Sequence, residues 1–425
     1  MSDSKPVGAG IKVAIIGGGP AGLSAAIELG RLPFVDWHLY EQKPSISEIG
    51  TGITLQQNTW ALLERLGASR HLHAGDFFRP TDGHDTQYRN GRTGAIYKQT
   101  YPLPIVPPHH APCRIHRGKL QKALLRQVDM DRIRTGKKLV QVAQLSSGRL
   151  RISFEAGFTD DVDLLIGADG VRSATRAFVS PDYQTSYTGM TAYRAVVRAS
   201  DAEQINGLSR AVIFWYGTDG EWVYTCPLDN NDWEITCRVR EPEDNDRSSW
   251  GKEVSVTKFV DSLQGYCEPI QQLLSLVTRV KRFDYFAGNR LPNVVKHGSV
   301  TLIGDAAHPL SGAFGAGAAF AMEDAHVLAG ALEWAQQTGV CLAKALQLFD
   351  DVRSAHYGSL YRTLDKIAGA HRRTIAQARS PDENITGHIE NVSLDEHNWM
   401  YYHDADRALR EAISRINTAQ PRQKL

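Results

Sequence analysis

The stretch VAIIGGGPAGLSAAIELG, residues 13 to 30, constrains the fold of this chain more than any other. Four apolar residues lead into a turn in which Gly17, Gly19 and Gly22 have the G-x-G-x-x-G spacing, and a helix-forming stretch follows. Glycines at these places let the backbone turn tightly and approach a pyrophosphate, whose charge the helix N-terminus favours. The stretch therefore predicts the first βαβ unit of a Rossmann-like domain.

An acidic residue after the second strand narrows the choice of nucleotide. The segment Trp37-His38-Leu39-Tyr40 has the pattern of a short strand, and Glu41 follows it, 19 residues after Gly22. An acid at an offset of about 20 residues holds the 2′-hydroxyl of an adenosine ribose, whereas a 2′-phosphate would be repelled. The turn and the acid together predict a bound NAD or FAD and leave open which of the two.

Length, charge and cysteine content exclude several other classes of protein. A chain of 425 residues can form two or three domains. Its 48 basic and 47 acidic residues give no overall field that would favour nucleic acid or an anionic membrane. The five cysteines lack C-x-x-C spacing, which indicates a reducing compartment without structural disulfides. The chain lacks a signal sequence and a long apolar stretch, so we predict a cytoplasmic protein without a transmembrane segment, a monomer or homodimer.

The order of strand and helix patterns predicts how the chain is divided. Between about 180 and 285, short β-branched and aromatic segments such as AVIFWYG and WEITCRVR predict an antiparallel sheet. Parallel α/β character returns with GSVTLIGDAAH, and a long helix is expected from Gly315 to about Gln337. We therefore predict an α/β fold: a Rossmann-like FAD- or NAD-binding domain in two parts, 1–180 and 286–365, an inserted β-sheet substrate domain, 181–285, and a helical C-terminal region, 366–425.

Three local patterns precede the first domain boundary. Residues 59 to 70 have apolar helical spacing with Gly67 as the expected C-cap. The five prolines of PLPIVPPHHAPC, 102 to 113, predict an irregular loop. The segment 114 to 128 has the pattern of a loop that enters an amphipathic helix.

The motif LLIGADGVRSATR, residues 164 to 176, contains a second candidate cofactor contact. The buried run Leu164 to Ala168 is typical of a parallel strand, and it brings Asp169 to the carboxyl end of that strand, where α/β proteins bind ligands. Arg172, Ser173 and Arg176 follow in a turn or helix start, where phosphate oxygens are expected.

The motif VTLIGDAAHPLSGAFGAGAAFAMEDA, residues 300 to 325, contains the third. A strand brings Asp305 to its end, where the carboxylate could accept hydrogen bonds from ribitol or ribose hydroxyls. The glycine-rich segment with Gly312, Gly315 and Gly317 then opens a helix, and its backbone N–H groups could hold an anionic or carbonyl-bearing ring.

These three motifs, in this order and spacing, resemble the single-component FAD-dependent aromatic hydroxylases, which share the p-hydroxybenzoate hydroxylase fold. The details EIGTGITLQQN (48 to 58), HRGKL (116 to 120) and WMYYHDAD (399 to 406) are most similar to the salicylate-hydroxylase-like branch. The resemblance covers nearly the whole chain and implies FAD as the bound dinucleotide, with NAD(P)H as a transient cosubstrate. One departure is Gly312, which stands where the branch commonly has a proline near the flavin.

Position by position, the resemblance implies a set of cofactor-binding residues. They are Glu41 at the adenosine ribose, Gly17, Gly19 and Gly22 at the pyrophosphate, Arg117 on the FAD chain, Thr54 near the flavin, Asp169 for FAD and NAD(P)H, Asp305 at the ribityl-pyrophosphate region, and Gly317 and Ala318 beside the isoalloxazine.

The resemblance also implies the reaction. NAD(P)H reduces FAD, O₂ adds at the flavin C4a, and the hydroperoxide transfers oxygen to a phenolic or aromatic-acid ring, with or without decarboxylation. Arg194, in MTAYRAVV, is the predicted anchor for a carboxylate or phenolate; the alternative is that it faces solvent or pairs with a structural acid. Tyr224, in EWVYTCPL, is the tyrosine expected to assist it, although the spacing does not exclude Tyr216.

Two histidine sites and two rival functions complete the predictions. His308 is a candidate proton relay, and the alternative is a residue that packs the turn. His109-His110 resembles half of a metal site, but the pattern supplies no carboxylate or cysteine, so we predict no metal. The rivals are a flavin monooxygenase that epoxidises or dearomatises a larger secondary metabolite, and a catalytically silent FAD-binding redox interaction module. The small aromatic substrate, O₂ and NAD(P)H are the expected partners.

Overall fold

The computed structural model describes residues 10–47, 51–243, 247, 250–309, 315–393 and 395–419, so Gly312 lies outside the described residues. The strands, in chain order, are β1 (Ile11–Ile16), β2 (Val35–Tyr40), β3 (Gly52–Leu55), β4 (Phe77–Phe78), β5 (Thr86–Asn90), β6 (Ile96–Thr100), β7 (Cys113–His116), β8 (Ile133–Arg134), β9 (Leu139–Gln144), β10 (Leu150–Phe154), β11 (Thr159–Val162), β12 (Leu164–Gly167), β13 (Thr185–Arg198), β14 (Ile213–Tyr216), β15 (Trp222–Pro227), β16 (Asp232–Arg240), β17 (Trp250–Val254), β18 (Val280–Gly288), β19 (Val295–Lys296) and β20 (Val300–Leu302).

The helices follow the same order. They are α1 (Pro20–Leu29), α2 (Gln57–Leu66), α3 (Arg117–Leu125), α4 (Ala174–Val179), α5 (Ala199–Ala202), α6 (Val256–Asp261), α7 (Glu268–Ser275), α8 (Gly317–Thr338), α9 (Leu342–Gln377), α10 (Pro381–Val392) and α11 (Ala405–Ala419). Within the described ranges, no helix combines the length and the hydropathy that crossing a bilayer requires.

A six-stranded sheet confirms the Rossmann-like prediction. Its strand order is β19-β20-β12-β1-β2-β8, and β1 runs parallel to both β2 and β12. β12 also pairs in parallel with β20, so the strands that precede the three motifs end at the same edge of the sheet. Their apolar residues are buried, as central parallel strands covered on both faces require.

An eight-stranded sheet forms the second layer, in the order β17-β18-β13-β16-β15-β14-β5-β6. All neighbouring pairs in this order are antiparallel except β14 and β5, which are parallel. The predicted segment 181–285 includes most of this sheet but omits β5 and β6, which come from 86–100, and the last residues of β18. The sequence prediction of sheet membership was therefore incomplete, because β5 joins by pairing with a strand more than 120 positions away. The domain boundaries themselves stay a prediction.

The two faces of this sheet differ in what covers them. Side chains at odd positions of β13 and β16, such as Tyr193 and Trp233, pack with Phe259 and Leu273 of α6 and α7 in one apolar core. Even positions face the other way, because side chains alternate along a strand and direct antiparallel partners share a face. We call this second side the even face; it carries Arg194, Thr236 and Tyr224 in a single row across β13, β16 and β15, with Phe214 and Tyr88 beyond.

Local patterns were predicted with mixed success. The helix near 59–70 spans Gln57–Leu66, and Gly67 caps it in the left-handed region with a φ of 75°. The proline-rich loop is irregular except for one short 3₁₀ turn, Pro108–His110. The prediction of a loop at 114–116 was wrong, because these residues form β7 by pairing with β3 and β4.

The C-terminal region is helical, as predicted, and part of it covers the even face. Ile385 and Ile389 of α10 are fully buried against Tyr216, with Tyr88 and Trp222 packed around them. Asn384 accepts a hydrogen bond from the backbone N–H of Asp219 at 3.0 Å. Helix α10 thus lies over the β5, β14 and β15 side of the face.

Candidate active site

The glycine turn between β1 and α1 has no room for larger residues at two of its three positions. Gly17 has a φ of +109°, and a Cβ there would lie 2.4 Å from the carbonyl oxygen of Ala168. A Cβ on Gly22 would lie 1.9 Å from the carbonyl oxygen of Gly17. A Cβ on Gly19, by contrast, would meet no protein atom within 4 Å. The turn is therefore tight on its protein side and open above Gly19, as a pyrophosphate site requires.

Glu41 lies beside this turn. Its side chain is buried, and its two carboxylate oxygens accept hydrogen bonds from the backbone N–H groups of Gly18, at 2.8 Å, and Lys43, at 2.9 Å. The Gln121 amide also reaches the turn and donates to the carbonyl of Gly18 at 3.2 Å. The carboxylate predicted to bind ribose is thus held at the glycine turn, on the end of β2.

Asp169 follows β12 and holds the start of α4. Its carboxylate accepts a hydrogen bond from the Ser173 hydroxyl at 2.5 Å and from the backbone N–H of Thr175 at 3.0 Å. The expectation that Arg176 meets phosphate oxygens was wrong. Its guanidinium is buried and donates to the backbone carbonyls of Val171, Asp305 and Ala306. Arg176 therefore links the second motif to the third.

Asp305 and His308 have different surroundings, although only two residues lie between them in the sequence. Asp305 is exposed at the end of β20, where a ligand can reach it. His308 is fully buried, and its ring Nε2 lies 2.7 Å from a carboxylate oxygen of Asp324. Arg353 and Tyr357 donate to the other oxygen of Asp324, at 2.7 Å and 2.6 Å. These contacts support the alternative in which His308 packs the turn; its proton-relay role stays a prediction.

The residues predicted to lie near the flavin are spread over two elements. Thr54 lies in β3, and a Cβ added to Gly315 would meet its side chain at 3.4 Å, so the two segments are adjacent. Gly317 opens α8 with free space above it, and Ala318 is buried behind it. Arg117 begins α3, and its backbone N–H donates to the carbonyl of Thr51 at 3.1 Å.

A buried ion pair that the sequence analysis missed joins β7 to the even face. The Arg114 guanidinium donates to the Glu234 carboxylate through Nη2 at 2.6 Å and through Nε at 3.0 Å. It also donates to the Thr54 hydroxyl at 2.9 Å, and it lies over the Tyr224 ring at 4.9 Å. Arg114 therefore contacts both a predicted flavin-side residue and a predicted substrate residue.

The Glu234 carboxylate is fully buried and fully hydrogen-bonded. The Thr51 and Thr236 hydroxyls donate to its Oε1 at 2.5 Å and 2.9 Å. Burial raises the pKa of Glu234, but the charges of Arg114 and Arg194 outweigh burial and lower the pKa to about 2. The carboxylate is thus ionised at neutral pH.

Arg194 and Tyr224 share the even face and lie on either side of Thr236. The Arg194 guanidinium lies over the Phe283 ring at 5.0 Å, and its Nε is buried with no hydrogen-bond partner among the described residues. The same is true of the Tyr224 hydroxyl. Burial raises the pKa of Tyr224 well above its ordinary value, although the Arg114 charge opposes the change, so the phenol is neutral. Two predicted substrate residues therefore offer unused polar atoms on one surface.

Tyr216, the alternative to Tyr224, shares the even face but has different neighbours. It pairs with Trp222 and packs against Ile385 and Ile389 of α10. Tyr224 instead lies under the guanidinium of Arg114, which also contacts Thr54 of the flavin-side strand β3, whereas Phe214 contacts both tyrosines. These surroundings favour Tyr224 as the substrate residue.

The histidine pair at 109–110 has a neighbour that the sequence pattern did not reveal. A carboxylate oxygen of Glu64 lies 2.9 Å from the ring Nε2 of His110, and the other lies 3.4 Å from that of His109. The prediction that no carboxylate accompanies the two histidines was therefore wrong, because the Glu64 side chain of α2 contacts both rings. Glu64 and His109 are exposed.

Comparison with known proteins identifies relatives along most of the chain. The FAD binding domain family matches residues 10–340. Salicylate hydroxylase of Pseudomonas putida is 28% identical over 436 residues, covering 96% of this chain and 96% of the relative. A 2-heptyl-3-hydroxy-4(1H)-quinolone synthase of Pseudomonas aeruginosa is 31% identical over 326 residues, covering 75% of this chain and 79% of the relative.

Solved structures share the fold at lower identity. A salicylate hydroxylase substrate complex superposes with a TM-score of 0.79 at 22% identity, covering 95% of this chain and 98% of that one. CtdE in complex with FAD and a substrate superposes with a TM-score of 0.76 at 20% identity, covering 96% and 99%. The fold is thus shared over about 95% of this chain.

Proposed function

Because the chain belongs to the FAD binding domain family, and is an FAD-dependent aromatic hydroxylase of the salicylate-hydroxylase-like branch, we propose that it uses NAD(P)H and O₂ to hydroxylate a phenolic or aromatic-acid substrate. The observation that carries this proposal is the pair of unused buried polar atoms on Arg194 and Tyr224. The names of further relatives, 6-methylsalicylate 1-monooxygenase and 6-hydroxynicotinate 3-monooxygenase, support an aromatic acid.

The residues at the glycine turn fit FAD. The space above Gly19, where an added Cβ would meet no protein atom within 4 Å, would take the pyrophosphate, and Glu41 at the end of β2 would bind the adenosine ribose. Asp305 would bind ribityl or ribose hydroxyls, and Thr54 and Gly317 would lie near the ring. FAD held by these residues would supply the redox chemistry of the reaction, which is hydride acceptance from NAD(P)H and activation of O₂.

The chain's own contribution is to bind and orient the ring. Arg194 and Tyr224 lie two strand spacings apart, about 10 Å between Cα atoms. A substrate ring between them would place its carboxylate or phenolate on the Arg194 guanidinium and a second oxygen near the Tyr224 hydroxyl. The aromatic side chains of Phe214 and Phe283 would exclude water from this space.

Substrate-stimulated oxidation of NAD(P)H tests the proposal. Holoprotein should be yellow, and one member of a panel of phenols and aromatic acids should increase oxidation and give a product with one added oxygen. Loss of CO₂ in that product would establish the decarboxylating version. A yellow protein that ignores every small aromatic would instead favour a larger secondary metabolite as substrate, and one that never oxidises NAD(P)H would favour the redox interaction module.

The anchor has its own test. Arg194→Met should weaken substrate binding about tenfold or more and leave FAD bound, because it removes a charged hydrogen bond but no predicted FAD contact. Arg198→Met, on the exposed end of the same strand, is the matched control and should behave as the unmodified protein. Unchanged affinity in Arg194→Met would refute the assignment.

A further inference from the structure

A second guanidinium on the even face, that of Arg238, forms no ion pair within 4 Å among the described residues. Arg238 lies in β16, pairs with Ala192 of β13, and is half-buried. Its Nη2 donates to the carbonyl of Gly220 at 3.0 Å, and the guanidinium lies over the Trp222 ring at 5.3 Å. Its Nε is buried and lacks a hydrogen-bond partner in the described part of the chain. The rings of His371 and His388 also lie near the Arg238 guanidinium. Burial lowers the pKa of both rings, so both are neutral at pH 7 and neither changes the net charge around Arg238.

Arg238 and Arg194 occupy one diagonal of a four-residue block. Arg194 pairs with Thr236, and Ala192 pairs with Arg238, so the short side chains occupy the other diagonal. Diagonal neighbours in an antiparallel pair lie about 7–8 Å apart. The two strand positions are therefore close enough for one ligand to reach both side chains.

The even face therefore has an excess of positive charge. The third guanidinium, Arg114, is neutralised by Glu234, whose oxygens are all occupied. Neither Arg194 nor Arg238 forms an ion pair within 4 Å among the residues described, although the Arg194 charge contributes to the low pKa of Glu234. Three half-buried guanidiniums in the described part of this site, those of Arg114, Arg194 and Arg238, thus lie near one buried carboxylate, that of Glu234, so a ligand with two negative charges would balance them.

The two guanidiniums also point toward different strands. Arg194 lies over Phe283 of β18, and Arg238 lies over Trp222 of β15. β18 and β15 are separated by three strand spacings, about 14 Å between Cα atoms. A single carboxylate would reach one of the cations, whereas groups at opposite ends of one ring would reach both.

We propose that Arg238 is a specificity-determining residue and that the site takes an aromatic dianion, with acidic groups at opposite ends of its ring on Arg194 and Arg238. The proposal rests on the proposed hydroxylase function and adds the charge and shape of its substrate.

Two probes that differ by one carboxylate test it. They are salicylate, a monoanion at neutral pH, and 2-hydroxyterephthalate, which carries a second carboxylate para to the first. Binding to the FAD-loaded protein is measured by calorimetry and by the change in flavin absorbance, without NAD(P)H. We expect the dianion to bind about tenfold or more tightly than salicylate, because it adds one charged hydrogen bond.

The variants separate charge recognition from structure. Arg238→Met should weaken 2-hydroxyterephthalate binding about tenfold to a hundredfold and salicylate binding far less, while Arg238→Lys should restore part of the difference. Arg279→Met removes one positive charge at an exposed ion pair with Glu253 and should change neither affinity. The flavin content of each preparation shows that the variant is folded.

The outcomes also distinguish this proposal from the hydroxylase function. If salicylate or another monoanion is hydroxylated and the dianion binds no more tightly, the role of Arg238 is refuted and the hydroxylase function stands. Equal losses for both probes in Arg238→Met would refute it as well. If no aromatic compound binds or stimulates NAD(P)H oxidation, the proposed function fails together with this inference.

Discussion

Replacing Arg114 with methionine should leave the buried carboxylate of Glu234 without the guanidinium that is hydrogen-bonded to it, so that of the two nearby cations only Arg194 remains. The pKa of Glu234 is about 2 in the folded protein, against an ordinary value of 4.5. At about 1.36 kcal/mol per pH unit, that difference corresponds to roughly 3 kcal/mol of stability. Removal of one partner from a buried ion pair costs about 3–5 kcal/mol in general, so the two figures agree.

The pH dependence gives a second signature of the same pair. A folded pKa below the unfolded value means that the stabilisation is present above pH 4.5 and is lost as the pH falls from 4.5 toward 2. In Arg114→Met, burial should raise the pKa of Glu234 instead. The difference in unfolding free energy between the two proteins should therefore be largest near pH 7 and should shrink below about pH 4.5.

The assay is equilibrium urea unfolding of the FAD-loaded proteins, followed by circular dichroism and flavin fluorescence. The double variant Arg114→Met/Glu234→Gln should recover part of the loss, because it no longer buries an unpaired charge. Arg151→Met, which breaks an exposed pair with Asp161, is the control and should leave the unfolding free energy nearly unchanged, because solvent screens exposed ion pairs. A loss of unfolding free energy below about 1 kcal/mol for Arg114→Met would refute the reasoning. An equal loss in Arg114→Met and in the double variant Arg114→Met/Glu234→Gln would also refute it.

Four further substitutions test three more predictions. Tyr224→Phe keeps the ring beside Arg114 but removes the hydroxyl, so substrate affinity should fall about tenfold while FAD stays bound, and calorimetry would show it. Gly22→Ala places a Cβ 1.9 Å from the carbonyl oxygen of Gly17 and should abolish both folding and FAD retention. Gly19→Ala places its Cβ in open space, so this variant should fold and should lose only FAD affinity. Flavin content and thermal unfolding measure the two effects. Burial lowers the pKa of His371 from 6.5 to about 4, so the free energy of unfolding should fall as the pH falls from 6.5 to 4. His371→Gln should reduce that loss of stability. A pH profile of stability that is the same in the variant would contradict this prediction.

The first layer of the fold could be predicted because its signals are local. The turn from Gly17 to Gly22, the acid at Glu41 and the buried run before Asp169 each lie within a few residues of the element that they define. Parallel strands that end at one edge then bring the motifs together without further information. The order of strand, turn and helix along the sequence was therefore sufficient to predict the nucleotide-binding layer.

The second layer could be predicted only in part, because its contacts join distant segments. Strand β5 pairs with β14, and no local pattern in Thr86–Asn90 indicates that partner. Arg114 was assigned to a loop, and its pairing with Glu234 depends on how β7 meets β16. Arg238 is one of many strand arginines in the sequence, and only the register shows that it lies diagonal to Arg194.

The position of α10 has a consequence for exchanging substrate preference between relatives of this enzyme. The even face is assembled from three stretches of chain: β5 and β6, the strands from β13 to β18, and the helix α10 that covers Tyr216. In the sequence, the elements from β7 to α4 separate β5 and β6 from the central strands, and the elements from β19 to α9 separate α10 from them. A chimera that transplants only the central stretch would inherit the floor of the site from one parent and its cover from the other. Exchange of substrate preference should therefore require all three stretches to be transferred together.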